Sequence, residues 1–216
     1  MTSVTIVDYG VGNLFSVAQA IQHCGAEAKL ATSPEDILAA EKIILPGVGA
    51  FGKAIDKVRE RGFDGAMCDF AASNRPMLGI CLGMQMLFED SSEHGSHHGL
   101  GLIPGTVMKI PPRGITGKRL RKTHIGWAEL NMERPNPLFA EVSTDQAAYF
   151  VHSFAAHTGS ENVVATVDFH GHRLTAAVAR DNVMGVQFHP EKSGQFGIRI
   201  IKRFVDNLWP TGGQHD

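Results

Sequence analysis

The chain has 216 residues, a length that predicts one domain with a sizeable hydrophobic core, and its net charge of −2 argues against a nucleic-acid or membrane-surface binder. No apolar run approaches the ~20 residues of a membrane span, no signal peptide is evident, and the three cysteines are widely spaced. We therefore expect a cytoplasmic protein that needs no metal or other cofactor, with one domain over residues 1–209 and a frayed tail over residues 210–216.

Strands and helices are predicted to alternate through the first half of the chain. Short apolar and β-branched runs predict strands at residues 4–8, 27–31, 42–45 and 77–80. Amphipathic runs predict helices at residues 14–24, from residue 34 onward, and at residues 51–61, 63–72 and 82–89. Ser33 is expected to cap the second helix, with Pro34 at its first position. Such alternation predicts crossover connections and a parallel sheet.

The second half of the chain is predicted to be richer in antiparallel strands. Strand-like runs lie close together at residues 105–110, 125–130, 147–154, 163–169, 174–179 and 183–188. Turn residues at 170–171 and 181–182 predict hairpins between the last three runs, and residues 194–208 predict a closing amphipathic helix. The predicted fold class is α/β, with an open, mostly parallel sheet, flanking helices and a more antiparallel second half.

Two polar segments lie between these halves. Residues 90–101 contain His94, His97 and His98, which we interpret as part of a solvated loop because no cysteine or carboxylate stands at metal-ligand spacing from them. Residues 111–123 contain a set of basic side chains among glycines and prolines, namely Arg113, Lys118, Arg119, Arg121 and Lys122. This basic loop is either a solvated segment or a contact with a partner or a phosphate group.

Cys81 stands at an abrupt change from strand to helix. The apolar run before it and the amphipathic run after it leave no room for a loop, and Gly79 and Gly83 flank it in a Gly-x-Cys-x-Gly pattern. Glycines on both sides relieve crowding at a strained turn that lifts a nucleophile to the edge of a sheet, and the start of a helix favours thiolate. A buried structural cysteine is the alternative interpretation.

A thiol nucleophile needs a base and a group that orients the base. The strand predicted at residues 183–188 leads into a His-Pro-Glu segment that places His189 and Glu191 two positions apart. Residues i and i+2 of an extended segment point to the same side, so Glu191 can hold one imidazole nitrogen while the other faces the sulphur. His124 and His152 are the next candidates for the base, but neither has a carboxylate two residues away after a strand.

Acyl transfer at a thiol also requires an oxyanion hole. One donor is expected from the backbone N–H of Leu82, and a second from the glycine-rich segment Gly47, Val48 and Gly49 after the third predicted strand. That segment also begins a G-x-G-x-x-G pattern that ends at Gly52 and is typical of dinucleotide binding. The pattern follows the third strand rather than the first, which disfavours a dinucleotide site but leaves it open.

Three motifs together give the sequence a family resemblance. With Gly-Ile-Cys-Leu-Gly-Met-Gln at residues 79–85, Pro-Gly-Val-Gly at 46–49 and His-Pro-Glu at 189–191, the chain resembles the class I, or triad, glutamine amidotransferases. The Asp-Tyr-Gly-Val-Gly-Asn segment at residues 8–13 and Gly-Trp at 126–127 are similar to the branch that supplies ammonia for making imidazole glycerol phosphate in histidine biosynthesis. The resemblance covers nearly the whole chain.

The resemblance implies that the chain hydrolyses glutamine to glutamate and ammonia through a thioester. It also implies a heterodimer in which a (β/α)8-barrel cyclase subunit receives the ammonia. The matching positions give a triad, which is Cys81, His189 and Glu191. They give contacts to the glutamine substrate, which are Gln85, Glu93, Ser153 and Phe154. They also give residues that face the cyclase, which are Asn13, Trp127, Tyr149 and Lys192. Without the resemblance, Trp127 and Tyr149 would be interpreted as core residues.

Two segments depart from the family pattern. The chain has Thr-His-Ile-Gly-Trp-Ala at residues 123–128, where the family usually has Pro-His-Met-Gly-Trp-Asn, and His-Ser-Phe at residues 152–154, where it usually has His-Ser-Tyr. The first segment lies where the cyclase is expected to dock. One alternative is therefore a paralogous amidotransferase that feeds ammonia to another acceptor, such as a nucleotide sugar that gains an acetamidino group. Another is a cysteine hydrolase of the same fold that acts without a partner.

Overall fold

The computed structural model describes residues 2–117, 119, 123–140, 142 and 147–206. The predicted frayed tail at residues 210–216 lies outside these residues, as does the predicted domain boundary at residue 209. Lys118, Arg121 and Lys122 of the basic loop also lie outside them. Among the helices of the described part, none is long and apolar enough to cross a membrane.

The described residues form six α-helices, which are α1 (Leu14–His23), α2 (Pro34–Ala39), α3 (Phe51–Glu60), α4 (Phe63–Ala72), α5 (Leu82–Met86) and α6 (Gly194–Val205). They form fourteen β-strands, which are β1 (Ser3–Val7), β2 (Glu27–Ala31), β3 (Ile43–Gly47), β4 (Met77–Cys81), β5 (Phe88–Ser91), β6 (His97–His98), β7 (Ile103–Lys109), β8 (His124–Ala128), β9 (Asn131–Met132), β10 (Ala148–His152), β11 (Phe154–His157), β12 (Val163–Phe169), β13 (His172–Arg180) and β14 (Val183–Val186). Two short 3-10 helices span Pro137–Phe139 and Pro190–Lys192.

Eight strands form the main sheet, in the order β2-β1-β3-β4-β14-β13-β12-β9. The first five strands in this order pair in parallel, and the remaining three continue the sheet with antiparallel pairings. The alternation of strands and helices explains the parallel part, because a helical crossover returns the chain to the same end of the sheet. The α/β fold class, with its mostly parallel sheet and more antiparallel second half, is confirmed.

Helices cover both faces of the parallel part and give it two hydrophobic cores. Side chains alternate along β3, so Ile44 belongs to the core that includes residues of α1 and α6, whereas Ile43 and Leu45 belong to the core that includes residues of α2, α3 and α4. Burial on both faces explains why these strands are continuous apolar runs in the sequence rather than alternating ones.

Several boundaries follow from the local chemistry that predicts them. At the start of α2, the Ser33 hydroxyl accepts a hydrogen bond from the Asp36 N–H (3.2 Å) and the Asp36 carboxylate accepts one from the Ser33 N–H (3.0 Å). This reciprocal capping box satisfies donors that the helix leaves free. His170 (φ 54°) and Gly171 (φ 87°) form the predicted turn between β12 and β13, where a tight hairpin needs two positive φ values.

Three predicted elements are wrong in extent. The helix predicted at residues 82–89 ends at Met86, because the buried Phe88 begins β5, which pairs in parallel with β7. The strand predicted at residues 147–154 is two strands, β10 and β11, which pair with β8 and β7 in different sheets. Residues 90–101 are not a loop throughout, because β6 pairs back onto β5. These pairings join segments that a local pattern does not connect.

The register of three neighbouring strands determines what meets at the carboxyl edge of the main sheet. Strand β4 lies between β3 and β14, with Gly47 opposite Cys81 on one side and Val186 opposite Ile80 on the other. All three strands run in the same direction, so their carboxyl ends lie side by side. The glycine-rich loop after β3, the Cys81 corner and the segment that leads to His189 therefore meet at one place.

Candidate active site

Cys81 occupies a strained turn between β4 and α5. It is the last residue of the strand and the cap of the helix, with φ 55° and ψ −110°. A residue with a Cβ seldom adopts a positive φ, and such a conformation costs on the order of 1–3 kcal/mol. The side chain lines a cavity although the residue is only 7% exposed. These features match the strand-to-helix corner that the Gly-x-Cys-x-Gly pattern predicts.

The glycines around this turn allow backbone segments to pack directly against each other. A Cβ on Gly83 would lie 1.8 Å from the carbonyl oxygen of Leu45, and a Cβ on Gly79 would lie 2.7 Å from the backbone nitrogen of Met84. A Cβ on Gly47 would lie 2.7 Å from the backbone nitrogen of Gly83. A side chain at Gly47 or Gly83 would push β3 and its loop away from the Cys81 corner, and one at Gly79 would separate β4 from α5.

Gly83→Ala should destabilise the fold strongly. Its methyl group would overlap the Leu45 carbonyl, and the carbonyl belongs to a central strand that cannot move aside, so we expect a loss of at least about 3 kcal/mol in the free energy of unfolding. Gly65→Ala is the matched control, because Gly65 is exposed in α4 with open space around it, and alanine there should add about 0.5–1 kcal/mol. Urea denaturation of both variants tests this; equal stabilities would contradict it.

His189 and Glu191 form a buried pair beside the corner. The imidazole Nδ1–H donates to the Glu191 Oε1 at 2.8 Å, and the two side chains are 3% and 1% exposed. This bond leaves the Nε2 atom of His189 for Cys81. The other carboxylate oxygen of Glu191 is buried and has no hydrogen-bond partner among the described residues. The carboxylate therefore acts on its histidine without competing donors from this part of the chain.

The environment of His189 favours its protonated form. Burial lowers the pKa of the imidazole, but hydrogen bonds to Cys81 and Glu191, together with the charges of both groups, outweigh burial and raise the pKa to about 9. An imidazolium held between a carboxylate and a sulphur can stabilise a thiolate and can later deliver a proton.

The glycine-rich loop approaches the corner from the β3 side. Val48, Gly49 and Leu82 all line the cavity that contains Cys81, and Gly49 has a φ of 96°. The structure thus brings together the backbone segments from which oxyanion donors are expected. The Tyr9 hydroxyl, which is buried, donates to the carbonyl oxygen of Pro46 at 3.0 Å and fixes the start of this loop. This contribution of Tyr9 is not predictable from the sequence, because no local pattern connects the ends of β1 and β3.

The cavity has a volume of about 360 Å³, within the range of small-molecule sites. Its lining comes from the loop, the corner, the strand ends of the second half and the segment after β14, and consists of Val48, Gly49, Cys81, Leu82, Gln85, Glu93, Thr123, Val151, His152, Ser153, Phe154, His189 and Lys192. All four residues that the family resemblance gives as substrate contacts are in this set.

Gln85 lies one helical turn after Cys81 and has a fixed orientation. Its side-chain nitrogen donates to the backbone carbonyl of Phe154 (3.1 Å) and to the side-chain oxygen of Gln187 (2.9 Å). Both donors of the amide are then used, and Oε1 is its remaining polar atom. Ser153 lies next to Phe154, and its hydroxyl bonds to that of Thr123 at 2.7 Å. Gln187 was missed by the sequence analysis, although its position two residues before His189 places it on the same face of the extended segment.

Glu93 has a structural contact in addition to its place in the cavity. Its carboxylate accepts a hydrogen bond from the Phe51 N–H at 2.8 Å, at the start of α3. A carboxylate in this position satisfies a free helix donor and interacts favourably with the helix dipole. Because α3 follows the glycine-rich loop, Glu93 holds the far end of the loop while it faces the cavity.

The same region bears on the dinucleotide alternative. A pyrophosphate would need the N-terminus of α3, but Glu93 already occupies the Phe51 N–H there. A Cβ on Gly52 would lie 2.5 Å from the imidazole of His97, so packing of that ring accounts for the third glycine of the pattern. The geometry therefore favours a loop built for the Cys81 corner over a dinucleotide site.

His124 and His152, the rival candidates for the base, form a buried pair of their own. The His152 Nδ1–H donates to the Phe154 carbonyl at 2.8 Å, and the His124 Nδ1 lies 3.1 Å from the His152 Nε2. The pKa of each is lowered to about 4, chiefly by burial. The His170 charge contributes to the lowering at His124, and the His124 and His189 charges contribute at His152, where the hydrogen bond to the Phe154 carbonyl acts in the opposite direction. Neither contacts a carboxylate among the described residues, so neither resembles the His189–Glu191 pair.

These two histidines should make the fold sensitive to acid. Above pH 6.5 both histidines are neutral in the folded and in the unfolded chain. Below pH 6.5 they become protonated in the unfolded chain, whereas in the folded chain they stay neutral down to their lowered pKa of about 4. The free energy of unfolding should fall by about 1 kcal/mol per histidine between pH 7 and pH 5.5. His124→Asn keeps a donor near the position of the Nδ1 atom but does not titrate, so its free energy of unfolding should fall less over this interval. An equal fall in the variant and the wild type would contradict the assignment.

The residues that the resemblance places toward a partner lie on the surface. In the two-stranded sheet, Trp127 is paired with Tyr149 and Ile125 with Val151, on the face opposite to the buried side chains of His124, Phe150 and His152. Trp127 is 57% exposed and Ile125 63%, so an interpretation of Trp127 as a core residue is wrong. Asn13 precedes α1 and is half-buried, and Lys192 is exposed at the end of the second 3-10 helix.

Comparison with known proteins identifies close sequence relatives. A profile of the family described as "Glutamine amidotransferase class-I" matches residues 5–208. The "Imidazole glycerol phosphate synthase subunit HisH" of Lacticaseibacillus casei is 47% identical over 203 residues, which cover 94% of this chain and 95% of that protein. The protein of the same name from Syntrophotalea carbinolica is 43% identical over 204 residues, covering 94% and 99% of the two chains.

Solved structures share the fold at lower sequence identity. One is described as the structure of PurLQS from Thermotoga maritima; it has a TM-score of 0.72 at 21% identity and covers 96% of this chain and 100% of that one. Another is described as a glutamine amidotransferase from Thermotoga maritima, with a TM-score of 0.62 at 15% identity and coverage of 96% and 84%. At this identity the likeness concerns the fold alone.

Proposed function

The chain belongs to the class-I glutamine amidotransferase family, and on that premise we propose that it is the glutaminase subunit of imidazole glycerol phosphate synthase. One observation carries the proposal for the chemistry. Three adjacent parallel strands end with the glycine-rich loop, the strained Cys81 corner and the buried His189–Glu191 pair around one cavity. This arrangement supplies a nucleophile, a base with its orienting carboxylate, and backbone donors within one site.

The proposed reaction is the hydrolysis of the glutamine side-chain amide. The Cys81 sulphur forms a bond to the amide carbon, and the electron pair that moves to the oxygen is stabilised by backbone N–H groups of Leu82 and the Gly47–Gly49 loop. Collapse breaks the carbon–nitrogen bond, and His189 gives its proton to the departing nitrogen, which leaves as ammonia. Water then attacks the thioester while His189 takes its proton, which releases glutamate and restores the thiol. The sum is glutamine and water to glutamate and ammonia.

The cavity offers complementary groups for the amino-acid end of glutamine. The free oxygen of Gln85 can accept a hydrogen bond from the substrate ammonium, and the Glu93 carboxylate can pair with its charge. Because Glu93 also accepts the hydrogen bond from the Phe51 N–H at the start of α3, a substrate bound to Glu93 would contact the residue that holds the end of the glycine-rich loop. Ser153 and Phe154 complete this end of the cavity with backbone and side-chain surface.

We assign the exposed face of the β8–β10 sheet to a cyclase subunit with a (β/α)8 barrel. Ile125, Trp127 and Val151 form an exposed apolar face there, which is typical of a protein–protein contact. Val151 and Lys192 also line the cavity, so the site opens toward this face. The Tyr149 carbonyl of the same sheet accepts a hydrogen bond from the His189 N–H at 2.9 Å, which links the docking face to the base. Ammonia released at Cys81 would leave on the side where the partner sits.

The relatives favour the cyclase as the receiver of ammonia over an enzyme that acts on a nucleotide sugar, since proteins 41–47% identical over about 95% of the chain carry the synthase subunit name.

The other alternative, a cysteine hydrolase that acts alone, predicts that activity does not depend on a partner. Glutamate release should be measured for the purified chain alone and with the cyclase together with its nucleotide substrate. We expect weak activity alone and a strong rise with the loaded cyclase. Full activity of the isolated chain would support the lone hydrolase instead.

A further inference from the structure

We propose that Gln187 is a further catalytic residue: its side-chain amide donates a hydrogen bond to the Cys81 sulphur and, through Gln85, joins the nucleophile to the substrate cavity. Gln187 lies between the end of β14 and His189, and its side-chain nitrogen is 3.7 Å from the sulphur. The kinetic part of this inference rests on the proposed glutaminase function, whereas the contact with the sulphur does not.

An amide at this position is not explained by packing. Gln187 is fully buried, and burying an amide costs free energy unless its hydrogen bonds are satisfied. The neighbouring Phe188 is also fully buried and contacts Phe150 and Phe196 with its ring, as expected for a core position. Gln187 belongs to the other face of the segment, which it shares with His189; there its side-chain oxygen accepts a hydrogen bond from Gln85 and its nitrogen donates one to Cys81.

The direction of each hydrogen bond follows from one backbone group. The Phe154 carbonyl can only accept, so the Gln85 atom 3.1 Å from it must be the amide nitrogen. That nitrogen also lies 2.9 Å from Gln187, so the Gln187 atom facing it must be the oxygen. The nitrogen of Gln187 is then the atom that faces the sulphur. The network therefore presents a donor to Cys81, and the opposite orientation would break two hydrogen bonds.

A donor in this position matters most when the sulphur carries negative charge. Hydrogen bonds to a charged acceptor are roughly twice as strong as those between neutral groups, so the amide favours the thiolate over the thiol. His189 supplies the charge on one side of the sulphur, and Gln187 supplies a neutral donor that remains when His189 has given up its proton. The same amide also holds Gln85, so two functions converge on one side chain.

Two variants separate these functions. Gln187→Glu keeps an oxygen for the Gln85 nitrogen but places a carboxylate beside the sulphur, whereas Gln187→Met has similar length and offers neither group. The rate of alkylation of Cys81 by iodoacetamide is measured against pH on the full chain, with the modified peptide followed by mass spectrometry. The half-buried Cys68 is an internal control in the same samples. Thermal unfolding of both variants establishes that they are folded.

We expect the pH midpoint of Cys81 alkylation to rise by about one unit in both variants, with no change for Cys68. In the complex with the cyclase, kcat should fall about tenfold in both, while KM for glutamine stays within about twofold in Gln187→Glu and rises about fivefold in Gln187→Met. An unchanged alkylation midpoint in the folded variants would overturn the inference. If the midpoint shifts but the wild-type complex releases no glutamate, the proposed function fails and the contact with the sulphur stands.

Discussion

Cys81→Ala should reduce glutamate release in the presence of the cyclase by at least about 10⁴-fold, because Cys81 is the only thiol among the described residues that line the cavity. Cys24, which is buried, and Cys68, which is half-buried, are not among the residues that line the cavity, so Cys68→Ala is the matched control and should keep full activity. Initial rates of glutamate formation at saturating glutamine measure the effect. Turnover above a thousandth of the wild-type rate in Cys81→Ala would contradict the assignment of the nucleophile.

The strained backbone at Cys81 should also affect the free energy of unfolding of variants at this position. Alanine retains the cost of the positive φ, whereas glycine adopts φ 55° freely, so Cys81→Gly should be more stable than Cys81→Ala by about 1–2 kcal/mol although both are inactive. This order is the reverse of the usual one, since glycine normally destabilises a chain relative to alanine. Urea denaturation distinguishes the two cases, and a more stable alanine variant would show that the turn is unstrained.

Glu191→Gln should lower kcat by about 10²–10⁴-fold. The amide can present its nitrogen to the histidine and favour the wrong tautomer, and it removes one of the charges that raise the pKa of His189 to about 9. In the wild type, activity should decline as pH rises through this value, because the imidazolium that protonates the departing nitrogen is lost. In the variant the declining limb should move to lower pH, since the pKa of His189 falls.

A matched control separates the carboxylate from net charge. Glu60 is exposed at the end of α3, so Glu60→Gln removes the same charge away from the cavity and should leave both kcat and the pH profile unchanged. Rates measured between pH 7 and pH 10 with the cyclase present provide the test. A Glu191→Gln variant with the wild-type alkaline limb would mean that Glu191 does not orient or charge His189.

Local chemistry accounts for the part of the fold that the sequence predicts. Strands β2 and β12 and helix α4 have the predicted bounds, because alternating or amphipathic runs between clear turn residues determine them without help from distant segments. The failures lie where pairing is decided by remote partners. The amphipathic run at residues 82–89 predicts a helix to its end, but Phe88 and Glu89 belong to β5, because this segment pairs with the backbone of β7.

The residues of the candidate site likewise include some that local sequence predicts and some that depend on distant segments. Cys81, His189 and Glu191 can be predicted because each stands at a strand end with a characteristic neighbour, and the parallel order of β3, β4 and β14 brings these ends together. The spacing of Gln187 to His189 indicates its face, but not its contacts with Gln85 and Cys81, which come from another part of the chain. The role of Tyr9 likewise depends on the Pro46 carbonyl of another strand. No local pattern indicates that Glu93 caps α3, since the two are joined only in the folded chain.

The transfer of ammonia from this chain to a cyclase tests the central proposal most directly. The purified chain, the cyclase and the nucleotide acceptor are incubated with glutamine labelled with ¹⁵N in its side-chain amide, in the presence of excess unlabelled ammonium. We predict that the imidazole product carries ¹⁵N in proportion to the glutamate released. Cys81→Ala should abolish both the ¹⁵N incorporation and the glutamate release. Glutamate release with an unlabelled product, or with no product, would contradict the proposal that this chain delivers ammonia to the cyclase.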